Sequence, residues 1–547
     1  MKRFPVWIPL LLLALIGVVT ELYLTRNGPG VSGDAVHYMD GAYNLLNGHG
    51  YSRSAWDGSY RPITGFPPLF SAALAALTPL TGSPLDSSRW LNALLMGANL
   101  FLAGWLIRRM TRSRGAALVG AGFILFSRDV LLLHAWVMSE ALYILLTLLG
   151  LLLAQIAWER RTFRPHRWGG LLLAGGTAGL TVITRYVGFA LVGAAGLGVL
   201  LFTPGDWKRR LGSALTFGIA SAIPVGVWLG RNALVAGNLT ARESGSGIFP
   251  ISRQLLVAFF DEISSWLVPN ELHFAWWPRL LTFGLFCLVG LALFLWNFIP
   301  KRFAAKLPIP REIVENEDPA RKNQFQAVLG VYIVFYIAII FLNSLTLDAS
   351  TSEGGMRRYL VPVFFASLIW IILVFHHFAW KQVKPWGPRL VLAVLALGLL
   401  GIYINQAVQF VRMPGYVFGY TDLKNNSPEL LAALQAIEPS RTIITNDYEA
   451  IYFLAGRPPL ALPRETENFT RQANPEYDAQ IQRVEQLLQD GAVLIAINSV
   501  EDADTDPSLA PVTSRLVRWQ TFGRVTFYVL PRDADGRPSS AHPQNQK

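Results

Sequence analysis

The apolar positions of this chain fall in long unbroken runs separated by short charged stretches. Runs at about Pro5–Leu24 and at residues 88–107, 115–127, 139–157, 168–183, 187–203, 212–230, 279–299, 325–345, 359–378 and 390–410 predict about eleven membrane-spanning helices. About 20 helical residues rise roughly 30 Å, the hydrocarbon thickness of a bilayer. The first run follows Lys2 and Arg3 and is not followed by a small-residue cleavage pattern. It is therefore expected to stay in place as a helix and not to be removed as a signal peptide. The third run is short and is expected to bend or lie obliquely, and the turn at Thr184–Val187 is tight.

Charge between the runs gives an orientation. With the N-terminus inside, segments 1–4, 108–115, 158–168, 204–211, 300–324 and 379–389 carry 22 Lys/Arg in 67 residues. The opposite segments 26–87, 128–138, 184–187, 231–278 and 346–358 carry 10 in 138 residues. Short cytoplasmic loops hold the excess of Lys and Arg. The expectation is a multi-pass cell-membrane protein with a cytoplasmic N-terminus and an extracytoplasmic C-terminal part.

After about residue 410 the pattern changes. Strand-length apolar runs at Thr442–Thr445, Val493–Ile497 and Val525–Leu530 alternate with helical patterns at Pro428–Ile437 and Tyr477–Gln489. This predicts a small α/β domain over 411–532 beside a membrane domain over 1–410, with a polar, disordered tail over 533–547. The fold class expected is thus an α-helical polytopic membrane protein with a small C-terminal α/β extracytoplasmic domain.

Composition narrows the function. Of 547 residues, 52% are apolar and 15% charged, which excludes a soluble enzyme and a disordered chain. The net charge of +11 lies between the apolar runs, where topology requires it, so no nucleic-acid partner is expected. Cys287 is the single cysteine, which excludes an intrachain disulfide and a cysteine metal cluster. Adjacent His376 and His377 diverge on a helix and read as interfacial residues, not ligands. No nucleotide-binding loop or G-x-S-x-G motif is present.

Candidate chemistry gathers in the loops of the second set, above all the first, 26–87. There Asp34 opens a short amphipathic helix carrying Ala35, Tyr38, Met39, Ala42 and Leu45/Leu46 and stopped by Gly48. Asp34 reads either as that helix's N-cap or as a functional carboxylate. Glu140, after Ser139 at the edge of an apolar helix, has the same two readings, whereas Asp129 reads as a cap or solvent contact. Arg185, Arg231 and Arg358 sit at the same membrane edge. Each can hold a phosphate bidentately or snorkel to the headgroups.

In order and spacing these pieces resemble the GT-C membrane glycosyltransferases, in the protein-mannosyltransferase and lipid A aminoarabinose-transferase branch (glycosyltransferase family 39-like). The resemblance rests on Gly33-Asp34 with Tyr38 and Ala42, Asn47-Gly48, Phe66-Pro67-Pro68-Leu69, Ser139-Glu140, Thr184-Arg185 with Gly188, Arg231-Asn232 with Gly237-Asn238, and Arg358-Tyr359 with Pro362. It covers about residues 1–410. It implies a hexosyl- or pentosyltransferase moving a sugar from a polyprenyl-phosphate donor to a lipid, protein or glycan acceptor at the extracytoplasmic face. Asp34 takes the family's catalytic position. Ala35 follows it, where many members have a second acidic residue.

The expected roles follow from the chemistry. Asp34 acts as general base, with Glu140 assisting or orienting the acceptor. Arg358, Arg185, Arg231 and Tyr359 are expected at the donor phosphate, where arginine steadies departing charge. His37, Tyr38, Arg61, Pro67 and Pro68 are expected along the substrate cavity. No metal or cofactor is required, although a divalent ion on Asp34 and Glu140 is an open alternative. The rival function is a secondary transporter or flippase for lipid-linked glycans, against which the absence of an internal repeat counts. Glu353, Gly354 and Gly355 read as a mobile loop able to close over a bound phosphate.

Overall fold

The computed structural model describes residues 5–159, 166–240, 251, 253–266, 284, 319–346, 353–377, 386–413, 419–466, 473–497, 512 and 516–531. Every apolar run named above is helical in it except 279–299, which apart from residue 284 lies outside the described residues, as does the tail over 533–547. The membrane elements are α1 (Trp7–Leu24), α4 (Pro84–Thr111), α5 (Arg114–Leu125), α6 (Arg128–His134), α7 (Glu140–Glu159), α8 (His166–Val182), α9 (Phe189–Phe202), α10 (Trp207–Ala236), α12 (Pro319–Thr346), α13 (Glu353–His377) and α14 (Trp386–Arg412). Seven described helices are long and apolar enough to cross a bilayer by length and composition. The bent pair α5 and α6, broken by 62° at Phe126–Ser127, makes an eighth, as the short third run anticipated.

These helices form because lipid offers the backbone no partner, so each span must satisfy its own N–H and C=O groups. Their outer faces stay apolar. Leu215, Ile219, Ile223 and Val227 follow one stripe of α10 and are all more than half exposed. Inner faces use small residues to bring backbones together. A Cβ on Gly175 or Gly179 of α8 would lie 2.3 or 2.4 Å from Phe217 O or Ser221 O of α10. Glycines four apart at a close crossing are the usual device where no hydrophobic effect drives association.

The first loop is itself structured. It holds α2 (Gly33–Leu46), an antiparallel hairpin of β1 (Ser52–Ser54) and β2 (Tyr60–Pro62), and an apolar helix α3 (Leu69–Thr81). A further amphipathic helix, α11 (Arg253–Ser265), packs on α13.

Beyond α14 lie α15 (Tyr420–Asn426), α16 (Pro428–Gln435), β3 (Ile443–Thr445), α17 (Tyr448–Ala455), β4 (Leu460–Ala461), α18 (Tyr477–Gln489), β5 (Val493–Ile497), β6 (Val517–Phe522) and β7 (Val525–Val529). The sheet order is β4-β3-β5-β7-β6. β3 runs parallel to β4 and β5, and β7 runs antiparallel to β5 and β6. Val493, Ile495 and Ile497 face α16 and α17, while Leu494 and Ala496 face α18. Covering on both faces is why this strand reads as an uninterrupted apolar run.

This α/β unit sits on the first loop. Tyr420 N–H donates to Val31 O (2.9 Å), Thr421 Oγ1 to Pro29 O (2.7 Å) and Tyr448 OH to Ser54 O (2.9 Å).

Candidate active site

Four charged side chains meet where α1 ends and α4, α7 and α13 begin. They are Asp34 on α2, Glu140 at the first position of α7, Arg185 in the link from α8 to α9, and Arg358 in the second turn of α13. Arg358 Nη2 lies 2.6 Å from Asp34 Oδ2, and its Nε lies 2.7 Å from Glu140 Oε1. Arg185 Nη1 reaches the same Glu140 Oε1 at 2.8 Å. The order Asp34–Arg358–Glu140–Arg185 thus alternates in sign and balances two carboxylates against two guanidiniums. Glu140 is wholly buried, whereas the Asp34 side chain keeps about a third of its exposure (32%) and forms the open end of the chain of charges.

Local sequence aims each group. The N-cap of α2 is Ser32, and no side chain caps that end, which corrects the reading of Asp34 as the cap. Asp34 is free to point at Arg358 because it stands inside the first turn. Arg185 has extended backbone (φ −153°) ahead of a 3-10 turn, Tyr186–Gly188. That turn folds onto the end of α8 because residue 188 is glycine: a Cβ there would lie 2.5 Å from Thr181 C and Val182 N. Arg357 and Arg358 diverge, as neighbours on a helix must. Arg357 Nε goes to Asp129 Oδ1 (3.2 Å) and Glu262 Oε2 (3.5 Å), away from Asp34. Asp129 is therefore an ion-pair partner and not merely a cap or solvent contact.

Burial alone would raise the Asp34 carboxyl, but the Arg358 guanidinium beside it, helped by Arg185, holds it below the usual carboxylate range.

The other nominated residues divide. The guanidiniums of Arg358 and Arg185 lie 5.1 and 5.8 Å from the Tyr359 ring centre, so Tyr359 backs both arginines by cation–π contact. Tyr38 is buried and belongs to the wall, not to an open cavity. Its OH meets Ser139 Oγ at 3.1 Å, and Ser139 also accepts from Arg185 Nη1 at 3.1 Å. His37 stacks on Phe66 (4.9 Å) and meets Glu449 of α17 at 3.1 Å.

Pro67 is buried, and Pro68 is the N-cap of α3. Arg61 stands exposed on β2 beside Asp57 at 3.6 Å and is not brought to the cluster. Arg231 is not brought there either. Its two terminal nitrogens donate to Ile63 O (2.6 Å) and Tyr51 O (2.7 Å), where the first loop needs donors for its carbonyls. Glu353–Gly355 open α13 as helix, which corrects the reading of a mobile loop there.

A divalent ion does not fit between Asp34 and Glu140, because the Arg358 guanidinium stands between them as their shared partner. Among the described residues no group of three or more His, Cys, Asp or Glu could hold a metal.

Several residues here have no site role in the sequence reading. Ser139 links Tyr38 to Arg185. Asp40 accepts from Ser54 N (2.7 Å), Ser54 Oγ (2.9 Å) and Tyr452 OH (2.7 Å), tying α2 to its hairpin and to α17. Glu449 and Glu262 come from segments whose local pattern suggests only a solvated helix face.

Residues 11–230 match the model of the family Dolichyl-phosphate-mannose-protein mannosyltransferase. A comparison with curated proteins gave no match. Among solved structures the chain is similar to ArnT from Cupriavidus metallidurans bound to undecaprenyl phosphate. That likeness has 14% identity and a TM-score of 0.51, covering 94% of this chain and 97% of that one. It is also similar to the Archaeoglobus fulgidus oligosaccharyltransferase complex with zinc and sulfate, at 13% identity and a TM-score of 0.52, covering 94% and 73%. Taken with the matched segment, these likenesses show that the chain has the GT-C fold of membrane glycosyltransferases, as its sequence motifs implied.

Proposed function

We propose that this protein transfers a sugar from a polyprenyl-phosphate carrier to an acceptor hydroxyl or amine at the extracytoplasmic membrane face. The observation that carries the reading is the alternating cluster of Asp34, Arg358, Glu140 and Arg185 at the bundle end beneath the first loop. The bound undecaprenyl phosphate of ArnT, which has the same fold, supports the choice of donor.

A sugar on a lipid phosphate is already activated. The enzyme must take a proton from the acceptor and stabilise the phosphate that leaves. A carboxylate does the first and arginine the second. The acceptor's oxygen or nitrogen bonds to the sugar's anomeric carbon. The bond from that carbon to the phosphate oxygen breaks, and its electrons leave with the lipid phosphate. Asp34, the exposed end of the cluster, takes the acceptor's proton. Arg358 and Arg185 face the departing phosphate, and buried Glu140 fixes both arginines.

The test is transfer from a radiolabelled polyprenyl-phosphate sugar by purified protein in lipid nanodiscs. Asp34→Asn is nearly isosteric and is expected to lower transfer by at least about 100-fold, the usual worth of a general base, while the protein stays folded. Retention of most activity would remove Asp34 from the chemistry. Movement of an intact lipid-linked sugar across the membrane without bond cleavage would favour the transporter reading.

A further inference from the structure

The C-terminal α/β unit reaches into the site through one side chain. α17 lies along α2 in register: Glu449 meets His37, and three residues further on each helix Tyr452 meets Asp40 (3.1 and 2.7 Å). The Glu449 side chain also runs along the backbone of Gly33, next to Asp34. A Cβ on Gly33 would lie 3.6 Å from Glu449 Cγ. His37 is three residues beyond Asp34 on the same helix and so projects from the same face. Stacking on Phe66 and the bond to Glu449 fix its ring, whose side chain is 13% exposed. The charged groups around it are Asp34 on its own helix and Glu449 on α17, with Arg53 of the hairpin acting on Glu449.

The geometry points to a role for this pair: His37, oriented by Glu449, carries the acceptor's proton away from Asp34. This rests on Asp34 being the base. With Nε2–H donated to the Glu449 carboxylate, the neutral ring keeps a lone pair on Nδ1. Donor and acceptor in place cover the exposed edge of Asp34, which would otherwise give its proton to water. The proton then moves from the acceptor to Asp34, from Asp34 to His37 Nδ1, and from His37 to solvent. Asp34 is again an anion, and the ring is again neutral. Glu449 is a positioning residue in this scheme. A site otherwise built from the membrane domain would depend on the C-terminal unit for turnover.

The experiment uses the full-length protein in nanodiscs with polyprenyl-phosphate sugar varied up to saturation. His37→Ala is expected to lower kcat about 100-fold, and free imidazole at tens of millimolar is expected to restore at least a tenth of it. Glu449→Gln is expected to lower kcat about tenfold with KM for the donor unchanged, and Glu449→Asp to recover part of the loss. His37→Gln keeps a donor to Glu449 but cannot relay a proton, so it should be as slow as His37→Ala and, lacking a cavity, should not respond to imidazole. Wild-type kcat in His37→Gln would overturn the proposal, as would a folded His37→Ala variant that imidazole leaves unchanged. Full activity of Asp34→Asn would instead remove the base on which the relay depends, so the two failures are distinguishable.

Discussion

Replacing Arg358 by Lys isolates what the guanidinium fork does. The fork uses two different nitrogens, Nη2 toward Asp34 at 2.6 Å and Nε toward Glu140 at 2.7 Å. Lysine keeps the charge but presents one compact ammonium, which can serve one carboxylate well and leaves the other short of its partner. The contact with Asp34 is a hydrogen bond and that with Glu140 a buried ion pair, and a hydrogen bond to a charged group contributes about 1.5–3 kcal/mol. If the lost contact acts at the transition state, transfer should fall about 10- to 100-fold, since ~1.4 kcal/mol corresponds to a factor of ten. Arg357 is the control on the same helix. Its Nε faces both Asp129 and Glu262, at 3.2 and 3.5 Å, an arrangement a point charge can reproduce. Arg357→Lys should therefore stay within about threefold of the wild type. The assay is initial rate of transfer from the lipid-linked donor at matched protein levels, with thermal stability measured in parallel. Equal tolerance at both positions would leave Arg358 as a headgroup contact. A larger loss at Arg357 would put the phosphate on the other face of α13.

Glu140→Gln should destabilise the protein by about 3–5 kcal/mol, because it leaves two buried guanidiniums with Asp34 as their one remaining carboxylate in the cluster. An unchanged melting temperature would mean that the pair contributes little. Burial, with Asp129 adding to it, raises the Glu262 carboxyl above its ordinary range. A carboxyl raised on folding contributes no penalty in acid and an increasing one as pH rises through its folded value, so Glu262→Gln should raise the melting temperature more at pH 9 than at pH 5; the opposite trend would refute this. A reporter active only in the cytoplasm, fused after Arg532, should be silent, and activity would invert the orientation inferred from the 22-to-10 charge split.

The membrane helices were legible because lipid enforces a simple rule, and run length expresses it directly. Their ends were less so. α4 begins at Pro84, earlier than its apolar run, because Ser83 accepts from Asp86 N and Pro84 stands at the first position. That Ser-Pro-x-Asp signal is readable in the sequence. α3 was missed because a mostly apolar stretch of 13 residues inside a long loop is too short to span. In the C-terminal part α18 matched its periodicity at both ends, whereas β6, an exposed edge strand reading VRWQTF, gave no apolar signal.

Charge in an apolar setting nominated Asp34, Glu140, Arg185 and Arg358, but the same rule nominated Arg231. The difference lies in partners supplied from elsewhere. Carbonyls at Tyr51 and Ile63 claim Arg231, whereas carboxylates from two separate segments claim Arg358. Glu449 was invisible for the related reason that Asn446-Asp447-Tyr448-Glu449 reads locally as a helix start. Asp447 does cap α17 through Ala450 N, and only the docking of that helix on α2 turns Glu449 toward His37.

The balance of charge in the cluster carries a consequence for the order of events on the proposed reading. Without substrate, Arg358 belongs to Asp34 and Glu140 together, and the shared guanidinium keeps Asp34 below the usual carboxylate range, which makes it a poor base. A lipid phosphate brings negative charge that competes for the same fork. As Arg358 turns from Asp34 toward the phosphate, the carboxylate loses its neutralising partner and becomes a better proton acceptor while the donor is in place. Glu140 does not move in this exchange: it is buried, and Arg185 holds it from the other side at 2.8 Å. Donor binding would thus activate the base, and an acceptor arriving without a donor would meet an Asp34 still held by Arg358. Such coupling would limit side reactions without a moving lid, because the arginine proposed to stabilise the leaving group is also the one that restrains the proposed base.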